Sequence, residues 1–247
     1  MNNKGRFHFK PNYGVFFGEL NDNIPHKHYA MQLSVCQSPT MSLEIANKTE
    51  KRDSFFLVSN LRHRLESPQS QLTILINPIS REGYSLRFLH QDQIDHQLNE
   101  EIKYKLVEII TAYQSGNEDF DTCCQRIDLI FTGLTHFFEK ELQLEDDRIA
   151  TAIQYLDENF IRQVSLEEIA GVCYLSPSRF LHIFKKETQI TFRRYKLWNR
   201  LIKSLPWLKK ESITTTAHQF GFTDSSHYNR TFKETFGVSP KLLLDRE

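Results

Sequence analysis

Nowhere in this chain do apolar residues run for the roughly twenty positions that a membrane-spanning helix requires. The opening residues, Met1 to Gly14, hold no apolar stretch of the kind a secretory leader carries, so none is expected. Cysteine is scarce: Cys36, Cys123, Cys124 and Cys173 are the only four, two are adjacent, and none stands at a metal-ligand spacing. A disulfide framework is therefore not expected, and the expected setting is a reducing cytoplasm. Glycine and proline are also few, nine and eight in 247 residues, which excludes collagen-like and low-complexity architectures. Neither charge is in excess, with 31 basic and 31 acidic residues, so the chain is no disordered polyelectrolyte. Phenylalanine is what abounds: nineteen of them stand within a hydrophobic content of 39%. Such a chain can bury a real core, as two modest domains or one large one.

The zero total conceals an asymmetry. Residues 1–140 carry 15 basic and 17 acidic side chains, a net of −2, whereas residues 160–247 carry 15 and 8, a net of +7. A basic C-terminal block suits a polyanionic partner and equally a solvated lysine-rich face. Charge alone does not choose between them.

Up to about His90 the chain reads as short strands. Gly14–Leu20, Ala30–Val35, Ser42–Ala46, Ser54–Val58 and Leu72–Ile76 are apolar or alternating runs separated by Asn, Asp, Pro and Ser. That spacing predicts an all-β sandwich or barrel with no helix. Then the period changes. Leu98, Ile102, Leu106, Ile109 and Tyr113 mark one face of a helix, which Ser115-Gly116-Asn117 closes. A second helix opens near Asp119 and places Phe120, Ile127 and Leu134 at one heptad position, with Cys123, Ile130 and Phe137 three residues on. This stripe predicts either a dimer seam or a helical hairpin packed on its own β-domain; Cys124, Phe131 and Phe138 widen it toward the second. The acidic break Glu145-Asp146-Asp147 places a domain boundary near residues 141–147. Helices are expected beyond it near 148–159, 165–173, 177–187, 191–205, 213–220 and 225–235, with a short last one from Pro240.

Those C-terminal helices contain a degenerate repeat. Ala170 to Lys185 aligns with Ala217 to Lys233 once a single residue is inserted in the turn. Each copy reads as a short helix, a tight turn and a longer helix, the helix-turn-helix plan. Small Ala170 and Ala217 allow two helices to cross closely. Gly221 suits the sharp turn, where Tyr174 stands in the first copy. Ser176 followed by Pro177 caps one second helix, and Asp224 caps the other. Phe180, Ile183 and Phe184 are the expected buried stripe of the first, and Tyr228, Thr231 and Phe232 that of the second. Ser178, Arg179, Leu181 and His182, with Ser226, His227, Asn229 and Arg230, are left facing outward, where such helices reach base edges. Lys185 and Lys233 follow at the helix ends, placed for phosphates. Arg230 is the candidate for a guanine and Asn229 for an adenine; pairing of Arg230 with Asp224 is the structural alternative.

Ser176-Pro-Ser-Arg…Phe184-Lys-Lys-Glu-Thr188 and Gly221-Phe-Thr-Asp-Ser-Ser-His-Tyr-Asn-Arg-Thr-Phe-Lys-Glu-Thr-Phe-Gly-Val-Ser-Pro240 resemble the AraC/XylS family of transcription regulators. The resemblance covers about Arg148 to Glu247. It implies two helix-turn-helix units, near 165–187 and 213–235, joined by a long helix from about Thr191 to Leu205. In that family the two recognition helices enter successive major-groove segments. Pro206 and Trp207 depart from the pattern, and proline should bend or end the linker helix.

Pro25-His26-Lys27-His28 through Ser34 resembles the first motif of the cupin sensor domains that many such regulators carry, and His63 lies where a second motif would offer another histidine. Gln32 stands near the usual glutamate, and the motif's glycines are missing. On a strand His26 and His28 share a face, so with His63 they could hold Zn²⁺, Fe²⁺ or Mn²⁺, line a ligand pocket, or simply cap strands.

The expected fold is thus α+β and multidomain. A cupin-like β-barrel sensor occupies residues 1–97, and a helical hairpin, a candidate dimerisation element, occupies 98–140. An all-α DNA-binding domain with a linker helix spans 141–247. Expected partners are double-stranded DNA, a small-molecule effector, a second copy of the chain and, if it activates, RNA polymerase; no membrane is expected. No enzymatic activity and no required cofactor are expected, a divalent metal being an optional addition. A metal-dependent cupin enzyme fused to a DNA-binding module, an architectural DNA binder without sequence choice, and a helical repeat that packs on another protein are the rivals.

Overall fold

A computed structural model describes residues 5–20, 24–90, 96–138 and 146–241. The chain divides into two compact units, Met1–Leu142 with Lys233–Glu247, and Gln143–Phe232.

Alternation of apolar side chains organises the first unit around an antiparallel seven-stranded sheet. Its strands are β1 (Arg6–Phe9), β2 (Tyr13–Leu20), β3 (Met31–Val35), β4 (Met41–Ile45), β5 (Lys48–Arg52), β6 (Ser54–Leu57) and β7 (Arg64–Ile76). The hydrogen-bonded path runs β1-β2-β7-β3-β6, with β4 pairing both β5 and β7. Among the described residues β1 and β6 do not pair, so this path does not return on itself. The long β7 serves two sets of neighbours. Leu72–Ile76 lies between β2 and β3, whereas residues 64–66 pair with β4.

Period two sends the two faces into different cores. Tyr13, Val15, Phe17, Met31, Leu33, Val35, Phe56, Leu72, Ile74 and Ile76 join one core with α2 (Glu100–Gln114) and α3 (Phe120–Phe137). Phe16, Leu20, Cys36, Met41, Leu43, Phe55, Leu57 and Leu65 form the other. Each such buried side chain contributes roughly 1.5–3 kcal/mol of transfer free energy. Asn99 caps α2, and the Asp119 carboxylate caps α3 by accepting the Thr122 N–H at 2.8 Å. Tyr13 packs on Phe131, and Phe17 packs edge-on against Tyr113. The hairpin's stripe is therefore used largely within the chain. Cys123, Cys124, Ile127 and Phe131 are buried, Ile130 and Leu134 partly so, and Phe137 is 79% exposed.

Besides β1, which precedes every expected strand, and β7, which begins well before Leu72, two elements differ from the sequence expectation. Strands were expected up to His90, yet Arg81–Leu89 is a helix, α1. Ser80 accepts the Gly83 N–H and starts it, and a Cβ on Gly83 would fall 2.2 Å from the Asn77 carbonyl oxygen, so only glycine fits. In so short a helix Leu86 is the single large apolar residue fully buried, too little to show a period. The second is β5, Lys-Thr-Glu-Lys-Arg, polar and mostly exposed, which no apolar pattern marks. Its origin is the turn: Ala46 and Asn47 both take positive φ, as a type I′ hairpin requires.

The second unit is helical: α4 (Asp147–Glu158), α5 (Leu166–Val172), α6 (Pro177–Thr188), α7 (Phe192–Ser204), α8 (Ile213–Gln219) and α9 (Ser225–Phe236), whose last turn crosses the division between units. The linker helix α7 ends at Ser204, and Leu205–Lys209 continues as a 3-10 turn holding Pro206. Proline lacks the N–H that another α-helical turn would need. Trp207 from this turn meets Phe220 at the end of α8, with ring centroids 5.9 Å apart. The short helix expected from Pro240 runs into residues outside the described set, as does most of the expected boundary at 141–147.

Candidate functional site

The two helix-turn-helix copies close with the same backbone bonds. Leu175 N–H donates to Ala170 O at 2.9 Å, and 47 residues later Phe222 N–H donates to Ala217 O at 2.9 Å. Cys173 to Ile169 is matched by Phe220 to Thr216, and Tyr174 to Gly171 by Gly221 to His218. Ala170 and Ala217 are both buried at the crossing. The residue at the corner is left-handed in each copy, Gly221 at φ 72° and Tyr174 at φ 53°. Tyrosine has no intrinsic preference for that region, and its ring is 95% exposed, so the turn imposes the conformation without reward from packing. The following helices are capped as expected. Ser176 Oγ accepts the Arg179 N–H at 3.3 Å, and the Asp224 carboxylate accepts the His227 N–H at 2.7 Å. That last bond holds the Asp224 carboxyl below its ordinary pKa.

The buried stripes fix which faces look out. Phe180, Ile183 and Phe184 of α6 are buried, with Phe180 and Phe184 edge-on to Phe192 and Phe184 also against Tyr195 of α7. Tyr228, Thr231 and Phe232 are buried on α9, where the Tyr228 hydroxyl and Ser204 Oγ hydrogen-bond at 2.7 Å. Burial pushes the Tyr228 phenol up to about 12. Each second helix is thus seated on the linker. Ser178, Arg179, His182 and Lys185 are exposed on α6, as are Ser226, Arg230 and Lys233 on α9.

Two of the outward candidates are turned partly back. Asn229 is half-buried, and its Nδ2 donates to Ser225 O, one turn earlier, at 2.7 Å. Such local bonding is common for asparagine, and the two-point grip on an adenine requires this side chain to leave its own backbone. His227, also half-buried, packs edge-on against Phe222. Arg230 forms no ion pair among the described residues, and the alternative Arg230–Asp224 bridge is not made.

In the first unit, three histidines stand together. His26 and His63 face each other across a two-bond backbone bridge, both N–H···O distances 2.9 Å. With His28 they are buried, and each offers a ring nitrogen within 4.8 Å of the other two. Nδ1 of His26, His28 and His63 lies 2.8, 2.8 and 3.0 Å from the carbonyl oxygens of Ile24, Ala30 and Leu61. Burial, then the neighbouring His28, lowers His26 to about 4; burial, then His28 and His26, lowers His63 to about 2. Burial lowers His28 as well. All three rings are therefore neutral near pH 7.

From this cluster a polar seam runs along the sheet. His28 Nε2 lies 3.0 Å from Gln32 Oε1, Gln32 Nε2 donates to Ser34 Oγ at 3.0 Å, and Ser34 Oγ meets Thr73 Oγ1 at 2.9 Å. Two residues from Thr73, fully buried Gln71 has no hydrogen-bond partner for either amide atom. Ser34, Gln71 and Thr73 were absent from the expected site. Their signal was available: polar residues at i and i+2 on strands whose intervening residues are apolar.

A family model described as a helix-turn-helix domain matches residues 169–246. The transcriptional activator RhaS of Escherichia fergusonii is 32% identical over 134 residues, 51% of this chain and 48% of that protein. The chain spans about half the length of this and another RhaS, from Citrobacter koseri. The probable transcriptional regulator LumQ of Photobacterium leiognathi is 26% identical over 214 residues, 84% of this chain and 80% of LumQ. Among solved structures, ToxT from Vibrio cholerae O395 superposes with a TM-score of 0.60 at 16% identity, covering 95% of this chain and 98% of that one. That likeness is one of fold: a sheet domain followed by a helical one.

Proposed function

We propose, from the helix-turn-helix family model that matches residues 169–246, that the protein is a sequence-specific transcription regulator of the AraC type. The observation that carries the reading is the pair of capped second helices, each seated by buried aromatic residues, each with a polar outer face. Arg230 reads a guanine, Arg179 and the two lysines, Lys185 and Lys233, hold phosphates, and Ser178, His182, Ser226 and His227 contribute to the groove contacts. The protein acts by binding rather than by turnover. Where it activates, its second partner is RNA polymerase.

The first unit is read as the sensor. Gln71 has a buried amide with no partner, and a small effector with hydrogen-bonding groups would satisfy it beside Ser34 and Thr73. Such an effector shifts DNA affinity only in so far as it binds the DNA-competent state better. A second copy docks through the outer edge of α3, where Leu129 and Phe137 are 70% and 79% exposed. Selection of bound sequences from a random DNA pool tests the core reading. A defined operator with a large preference over scrambled DNA is the expected result; a ratio near one replaces the regulator with an architectural binder.

A further inference from the structure

One side chain on the outer face of α6 has no hydrogen-bonding group to offer. Leu181 is 40% exposed, although the same helix buries Phe180, Ile183 and Phe184 on its other side. Helical spacing places it one turn from Ser178 and one turn from Lys185, both exposed. In the repeat it takes the place that Asn229 holds on α9, since Phe180, His182 and Lys185 match Tyr228, Arg230 and Lys233. We propose that Leu181 is a specificity-determining residue that selects a thymine by packing on its C5-methyl group in the major groove. The proposal rests on the reading of the chain as a sequence-specific regulator.

A lone leucine on a protein surface needs no explanation in general. The setting of this one differs. Ser178, Arg179, His182 and Lys185 are all exposed around it and carry the groups that hold phosphates and polar base edges. A duplex drawn in by them covers Leu181, which must then meet a base. Leucine neither donates nor accepts a hydrogen bond, so set against the N7 of a purine or the amino group of cytosine it would bury a polar edge without a partner. Thymine alone among the four bases turns an apolar group, its C5-methyl, into the major groove. The contact therefore selects twice, by attraction for the methyl group and by the cost of any base without one. It also makes the two halves of the site unlike. Where α9 presents Asn229, suited to adenine, α6 presents a side chain suited to a methyl group, so the operator should not be a repeat of one half-site even though the two units share a plan. Because 5-methylcytosine carries the same methyl group, the same position should distinguish methylated from unmethylated cytosine.

Operators selected from a random pool by the full-length protein and by full-length Leu181→Ala should differ at one position, a thymine that the first requires and the second does not. Deoxyuridine in place of that thymine removes a methyl group and leaves every hydrogen-bonding group intact. Affinity of the unmodified protein should then fall roughly fourfold, the worth of one buried methyl group, while that of Leu181→Ala stays the same. With cytosine at that position, 5-methylation should strengthen binding by the unmodified protein and not by the variant. The uridine comparison on unmodified protein stands even where the variant fails to fold. An operator on which no deoxyuridine substitution lowers that affinity overturns the thymine contact and leaves the regulator reading intact. So does a methyl effect that Leu181→Ala retains in full. Failure to select any operator overturns both.

Discussion

Tyr174 is the residue whose backbone is most at odds with its side chain. A left-handed conformation costs a non-glycine residue roughly 1–2 kcal/mol, and an exposed ring returns none of it. Tyr174→Gly should therefore stabilise the second unit by about 1 kcal/mol, read as a raised midpoint in thermal or denaturant unfolding. A lowered midpoint would mean the ring has a structural partner. Gln71 has the reverse character, an amide made costly by the lack of partners. Gln71→Leu should stabilise the effector-free protein by about 1–3 kcal/mol and abolish its response to effector. Loss of stability instead would place a bound water or internal partner at that amide. For Arg230, removal to alanine should cost about 1–3 kcal/mol of operator binding and relax one base position, while Lys233→Ala weakens every sequence alike. Binding to cognate and scrambled DNA at fixed salt separates the two, and an unchanged preference in Arg230→Ala excludes base reading. The exposure of Arg230 was legible in the sequence because Tyr228, Thr231 and Phe232 around it share one helical face. The inward turn of Asn229 was not, since a bond from a side chain to its own helix leaves no pattern in residue types.

At the scale of elements, what the sequence revealed was what burial writes into it. The helices from α2 to α9 announce themselves through apolar periods and caps, and the strands of the sheet interior through apolar runs. Where burial is slight, as in β5, or confined to one large side chain, as in α1, the element owes its existence to a turn or a cap and stays hidden. The same reasoning divides α3. Ile130 and Leu134 lean into the core beneath the hairpin, whereas Leu129 looks outward. Ile130→Glu or Leu134→Glu should destabilise the first unit by several kcal/mol, since a charge is forced toward an apolar core. Leu129→Glu should leave the melting temperature of the monomer unchanged and shift sedimentation from dimer to monomer. If the unmodified chain is monomeric at every concentration, with DNA and without, the second copy has no place on α3.

For the whole molecule the decisive number is the charge difference between its parts, −2 over residues 1–140 against +7 over residues 160–247, within a chain of zero net charge. On the proposed reading the basic part supplies the non-specific attraction to DNA, so affinity should fall steeply with salt, and each phosphate contact removed should lower the slope of log K against log salt by about one. Lys185→Ala and Lys233→Ala together should then lower it by about two. Specificity should depend on spacing instead. Recognition helices docked on one face of a duplex read segments about 34 Å, or 10–10.5 base pairs, apart. Their orientation rests on α7, where Phe192 and Tyr195 seat α6 and Ser204 seats Tyr228 of α9. Because α7 ends at Ser204 ahead of Pro206, the linker has a fixed length and cannot ratchet by a turn to follow an altered site. Five base pairs inserted between the two halves of the selected operator rotate one half to the far side of the duplex and should abolish specific binding, while ten should leave at most one helix engaged. Gel shifts on the three operators check this. Equal affinity for all of them would mean that one unit alone reads the DNA and that the other only holds the backbone.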